Sequence, residues 1–166
     1  MKPKKYISFL IACSIAAFSA GGYSSAYEDT TDGICGESLQ WELDSTGTLT
    51  ITGKGNMTDW RNPDHVPWSE YRNSISAIVV TDGVTSIGSG SFSFCPSLTT
   101  VTLPDTIAVI PDEAFRGCSA LHDIQLPETV TTIGEYAFSD CGSLSQLTLP
   151  KESPQSEAAL SAIVLI

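Results

Sequence analysis

Cys95, Cys118 and Cys141 recur at a spacing of 23 residues, which places three thiols on successive turns of a regular structure. Neighbouring Cα atoms in such a column lie about 5 Å apart, within disulfide range. Side chains in one column point in parallel, however, and three cannot pair off. The spacing therefore predicts a buried column of small apolar thiols. Cys35 stands outside the column, and the sequence leaves it free or paired. Because no Cys-x-x-Cys pair and no nearby histidine completes a tetrahedral set, no metal site is expected.

His65 and His122 are the two histidines, set far apart. His65 with Asp59 and Asp64 would be the material for acid/base work or metal binding, but a Pro-containing loop with no framing motif reads as solvated surface. There is no Gly-x-Ser-x-Gly elbow, phosphate loop or dinucleotide fingerprint, so neither catalytic residues nor a cofactor is expected. Two acidic columns, Asp82/Asp105/Glu128 and Asp112/Glu135, would repel themselves at about 5 Å spacing. They read as hydrated rows, with calcium as the alternative.

These columns belong to a repeat covering residues 78–150. Its copies begin Ile78-Val79-Val80, Val101-Thr102-Leu103, Ile124-Gln125-Leu126 and Leu147-Thr148-Leu149. Val84, Ile107 and Val130 align, as do Ile87, Ile110 and Ile133, then Phe92, Phe115 and Phe138, and then Leu98, Leu121 and Leu144. A period of roughly 20–29 residues with a Leu-x-x-Leu-x-Leu core marks a leucine-rich repeat. Each unit supplies a short strand, and stacking buries the apolar columns as ladders. The expected fold is a β-rich solenoid of 23-residue period, with three full repeats and the start of a fourth.

Residues 1–26 read as a signal peptide: Lys2, Lys4 and Lys5 precede an uncharged apolar run of about 15 residues, shorter than the roughly 20 a membrane span needs. The mature chain is therefore not expected to insert stably in a membrane. Leu10-Ile11-Ala12-Cys13 also resembles a lipobox, which would make Cys13 a lipidated terminus. Losing the three lysines leaves five basic against nineteen acidic residues, a balance that repels nucleic acid and anionic lipid.

Residues 27–34 read as a flexible leader and 35–77 as an N-terminal β-hairpin cap. Leu39, Trp41, Leu43, Leu49 and Ile51 alternate onto one face. A loop follows over 53–60, and then Pro67 opens a short turn that tucks Trp68 and Tyr71 inward. Trp41, Trp60 and Trp68 would form a lid over the first ladder; the alternative is an aromatic carbohydrate platform. After Pro150 the pattern dissolves into Lys151-Glu152-Ser153 and an apolar tail, 151–166 as a whole. That tail either folds back over the open end or marks a truncated product of a larger surface protein.

Val84-Thr85-Ser86-Ile87-Gly88 to Phe92, and Leu126-Pro127-Glu128-Thr129-Val130-Thr131-Thr132-Ile133-Gly134 with Ala137-Phe138 and Cys141, resemble the BspA-like leucine-rich repeat family of surface proteins. Cys35-Gly36, Trp41, Gly47-Thr48-Leu49 and Pro67-Trp68 are similar to the domain that often precedes such repeats. Thr81, Ser91 and Pro111 depart from the pattern. The resemblance implies a secreted or cell-surface, non-enzymatic module for adhesion to an extracellular protein or glycan. Strand positions facing away from the core would carry the contact: Thr100, Thr102, Asp123, Gln125, Gln146 and Thr148, beside Val79. A hydrolase built on the 53–74 loop is the remaining alternative.

Overall fold

The computed structural model describes residues 31–60 and 62–148, so the expected signal peptide and lipobox and the 151–166 tail lie outside the described residues. Within them run eleven short strands: β1 (Thr31–Ile34), β2 (Leu39–Leu43), β3 (Thr48–Gly53), β4 (Gly55–Asn56), β5 (Ala77–Val80), β6 (Val84–Ser86), β7 (Thr100–Thr102), β8 (Val109–Ile110), β9 (Asp123–Gln125), β10 (Thr132–Ile133) and β11 (Gln146–Thr148). Two 3-10 turns, Pro63–His65 and Ser69–Ser74, separate β4 from β5, and no α-helix occurs among the described residues.

Alternation in β2 buries Leu39, Trp41 and Leu43 while Gln40 and Glu42 stay exposed. β2 pairs antiparallel with β3, Trp41 opposite Ile51. Asp44 makes the connection between them. Its carboxylate accepts from the backbone N–H groups of Thr46 and Thr48 at 2.9 Å and from Thr46 Oγ1 at 2.7 Å, as an Asx turn does. Those bonds, the Thr46 hydroxyl foremost, hold the Asp44 carboxyl below its ordinary pKa. Gly47 closes the turn at φ +86°, a conformation side chains oppose.

The acidic run before Cys35 departs from expectation. Instead of a flexible leader through residue 34, Thr31–Ile34 forms β1, antiparallel to β2 with Gly33 opposite Trp41. The outer edge of β2 would otherwise present a row of unpaired backbone groups, and backbone partners need no apolar alternation to supply them. Gly33 suits the site because a Cβ there would lie 2.6 Å from Trp41 Nε1. The expected loop over 53–60 likewise contains β4, which pairs parallel with β6.

From β3 onward the chain stacks in parallel. β5 pairs with β3 and then with β7, Ile78 opposite Val101. β8 pairs with β10, Ile110 opposite Ile133, and β9 with β11, Ile124 opposite Leu147. Partners in these last pairings, and in β5–β7, stand 23 residues apart in the sequence.

Between the strand rows and the turns lies the core. Trp68, Phe92, Phe115 and Phe138 are fully buried and stacked in order, with ring centroids 5.7, 5.5 and 5.4 Å apart. Burial of each ring contributes about 1.5–3 kcal/mol, and stacking about 0.5–1.5 kcal/mol more. Trp68 starts the stack from the N-cap of the Ser69–Ser74 turn, and its Nε1 donates to the Ser91 carbonyl at 2.9 Å. Trp41 meets it edge-on at 5.8 Å. Gly88 allows the closest backbone approach, since a Cβ there would overlap the Thr58 carbonyl oxygen.

Candidate functional site

The strand row carries the residues singled out for binding. In β7, Thr100 and Thr102 are exposed on either side of half-buried Val101. In β9, Gln125 is exposed beside buried Ile124. Backbone register sets Asp123 opposite Gln146 and Gln125 opposite Thr148 across β9 and β11, and Val79 opposite Thr102 across β5 and β7. β9 flanks β7. Val79 is half-buried, unlike Thr102.

Beside this row, residues 80–82 and 102–105 form an open groove of about 410 Å³ that includes Thr102, Asp82 and Asp105. Threonine hydroxyls tie rung to rung next to it. Thr106 Oγ1 donates to the Val84 carbonyl at 2.6 Å and Thr129 Oγ1 to the Ile107 carbonyl at 2.8 Å. The row thus has hydrogen-bonding side chains on strands that each pair with one neighbour, β7 with β5 and β9 with β11.

The thiols are buried and free. Cys118 Sγ donates to the Phe92 carbonyl at 3.2 Å and Cys141 Sγ to the Phe115 carbonyl at 3.1 Å, each reaching a carbonyl of the preceding rung. Cys35, Cys95, Cys118 and Cys141 all remain thiols. Burial pushes Cys35 and Cys95 up to about 12 and Cys141 to about 11, and raises Cys118 as well. A thiol that holds its proton so tightly is a poor nucleophile and a poor metal ligand.

Asp59 and Asp64, which with His65 are the material for acid/base work, engage separate partners. Asp59 Oδ1 accepts from the Ser89 N–H at 3.0 Å, Asp64 pairs with Arg72 at 3.2 Å, and His65 is exposed at the end of its 3-10 turn. Asp112 Oδ1 accepts from the Glu135 N–H at 2.8 Å, so one acidic column has a backbone task. Among the described residues no group of three or more His, Cys, Asp or Glu could hold a metal ion.

On the turn side of the repeat the structure shows two features that column reading passes over. The Arg116 guanidinium lies between the exposed rings of Phe94 and Tyr136, 5.7 and 6.0 Å from their centroids. It pairs with Glu113 at 3.1 Å and Asp140 at 3.4 Å, and those bonds, Glu113 foremost, raise its pKa. Next to it, Asp59, Trp60, Pro63, Ser89, Gly90, Asp112 and Glu113 line a cavity of about 350 Å³. The Trp60 Nε1 is buried there without a hydrogen-bond partner. In sequence the signal is Phe94 where the aligned residues are Gly117 and Asp140, and Tyr136 where they are Gly90 and Glu113.

Among solved structures the chain is similar to a leucine-rich repeat protein from Eubacterium ventriosum. The identity is 24% and the TM-score 0.59, covering 74% of this chain and 44% of that one. It is also similar to the pneumococcal vaccine antigen PcpA, at 19% identity and a TM-score of 0.51, covering 68% of this chain and 31% of that one. The chain thus spans less than half the length of either, and at these identities the likeness shows the leucine-rich repeat fold. No curated protein matches the chain, and among the described residues no helix is long and apolar enough to cross a membrane. The sequence model of the BspA type leucine rich repeat region matches residues 70–159 in six copies. That match runs past Pro150, where Glu157, Ala159 and Ser161 repeat Glu135, Ala137 and Ser139 at a spacing of 22 rather than 23. A match over more than half its length makes this chain a member of the BspA-type leucine-rich repeat family.

Proposed function

We propose that this protein is a secreted or cell-surface, non-catalytic binding module whose strand row contacts an extracellular protein or glycan. One observation carries the reading: Thr100, Thr102 and Gln125 are exposed on parallel strands whose apolar neighbours pack inward. A row of hydroxyl and amide side chains offers both hydrogen-bond donors and acceptors. A rigid backbone beneath lowers the cost of ordering on contact. Asp123, Gln146 and Thr148 extend the row along β9 and β11.

In this reading the chain is a solenoid of 23-residue period over residues 78–150, and the β2–β3 pair with Trp41 and Trp68 is the N-terminal cap (35–77) that shields the first rung. Residues 1–26 direct export, and adhesion is the role of the displayed surface. Family membership supports a protein partner, and the surface-protein character of the family supports the location. Screening the purified chain against arrays of extracellular proteins and glycans, alongside Thr102→Ala and Gln125→Ala, tests the reading. The second of these removes an amide with two donors and an acceptor.

A further inference from the structure

The turn side of the repeat bears a second surface, independent of the strand row. All four positive-φ residues other than glycine among the described residues lie on it: Phe94 (56°), Glu113 (55°), Tyr136 (57°) and Asp140 (60°). The turn itself demands this conformation, because Gly90 (66°) and Gly117 (72°) adopt it at the aligned positions. Glycine is the cheap occupant. Phe94 and Tyr136 instead place large rings there that stay 43% and 46% exposed. The turn does not require rings at these positions, since glycine serves at the aligned ones.

The rings are also held in place. Arg116 lies over both rings and pairs with Glu113 and Asp140, so the three side chains form one continuous ridge. Aromatic residues and arginine are the types that dominate binding energy at protein interfaces. Glu113 joins this ridge to the cavity bounded by Asp59, Trp60 and Asp112. Arg116 is matched by two carboxylates, leaving Asp59 and Asp112 in excess over it on a chain of net charge −11.

We propose that the Phe94–Arg116–Tyr136 ridge and the adjoining Trp60 cavity form a docking surface for a lysine- or arginine-rich segment of a protein partner. One basic side chain enters the cavity, where carboxylates complement its charge and the Trp60 ring offers a cation–π face. Flanking residues of the segment lie against the Phe94 and Tyr136 rings. The cavity favours a flexible chain over a flat surface, because a side chain must reach into it to meet Asp59 and Asp112.

The test uses the full chain, 15N-labelled, titrated with a nonalysine peptide and separately with a nonaglutamate peptide, and followed by amide chemical shifts. Nonalysine should shift the amides of Trp60, Phe94, Glu113, Arg116 and Tyr136, and nonaglutamate should not. Phe94→Gly and Tyr136→Gly keep the net charge and suit the left-handed backbone, so they remain folded. Each should weaken nonalysine binding about fivefold or more. Unchanged affinity in both variants would overturn the proposal by reducing the effect to general charge attraction. Shifts confined to Thr102 and Gln125, or no binding of nonalysine, would overturn it equally.

Discussion

Phe115 and Phe138 lie ring over ring, centroids 5.4 Å apart and planes 7° from parallel. The residues are 23 apart in sequence, so one turn of the chain returns each ring almost onto the last. Phe115 also stacks on Phe92 at 5.5 Å, which puts it inside the stack with no free face. Phe115→Ala should therefore cost about 3–5 kcal/mol, transfer and cavity terms together. Phe115→Leu, which keeps most of the volume, should cost clearly less. Urea denaturation of both variants measures the difference.

Trp68 contributes more than a ring at the head of that stack. Its Nε1 donates to the Ser91 carbonyl in a fully buried setting. Trp68→Phe keeps an aromatic face but leaves the carbonyl oxygen unpaired, at a cost of about 1–3 kcal/mol. The same denaturation experiment reads this, and Trp68→Leu should be worse because stacking on Phe92 goes too.

The buried thiols make stability fall on the alkaline side. Their folded pKa values stand near 11 for Cys141 and about 12 for Cys35 and Cys95, raised by burial from an ordinary 9.0. An unfolded thiol ionises first, so the stabilising difference is full below about pH 9 and is lost as pH rises toward 11–12. Iodoacetamide at pH 8 should label these four cysteines in the unfolded chain and spare them in the native one. Mass spectrometry of alkylated peptides, native against urea-treated, reads the contrast.

Asp44 makes the opposite dependence on the acid side. Its depressed carboxyl pKa comes from the hydrogen bonds that close the β2–β3 turn, chiefly from Thr46. The contribution is present above the ordinary carboxyl value of 3.8 and lost as pH falls through the depressed one. Asp44→Ala should lower Tm at pH 7, and the gap from wild type should narrow as the pH falls below the ordinary 3.8. Thermal unfolding at several pH values measures it.

What could be read from the sequence follows from where burial imposes a rule. Phe92, Phe115 and Phe138 sit in one column because a stacked rung accepts one shape there, and the repetition makes the column visible. β1 was not visible, since Asp32 and Gly33 join the sheet through backbone groups that any residue carries. The ridge was hidden for another reason. Phe94, Gly117 and Asp140 share a column without sharing a chemistry, and alignment of the repeats sets such positions aside. The regular positions build the stack, and the variable ones are free to differ from copy to copy. Thr102 and Gln125 were accessible to reasoning because strand alternation alone decides which side chains leave the core.

Ligand binding by the strand row is read by comparing wild type with Gln125→Ala and Thr102→Ala on extracellular protein and glycan arrays. At least one ligand should bind the wild type and be weakened about tenfold or more in one of the variants, with circular dichroism and Tm unchanged. A ligand held equally by all three proteins, or no ligand on either array, would contradict it.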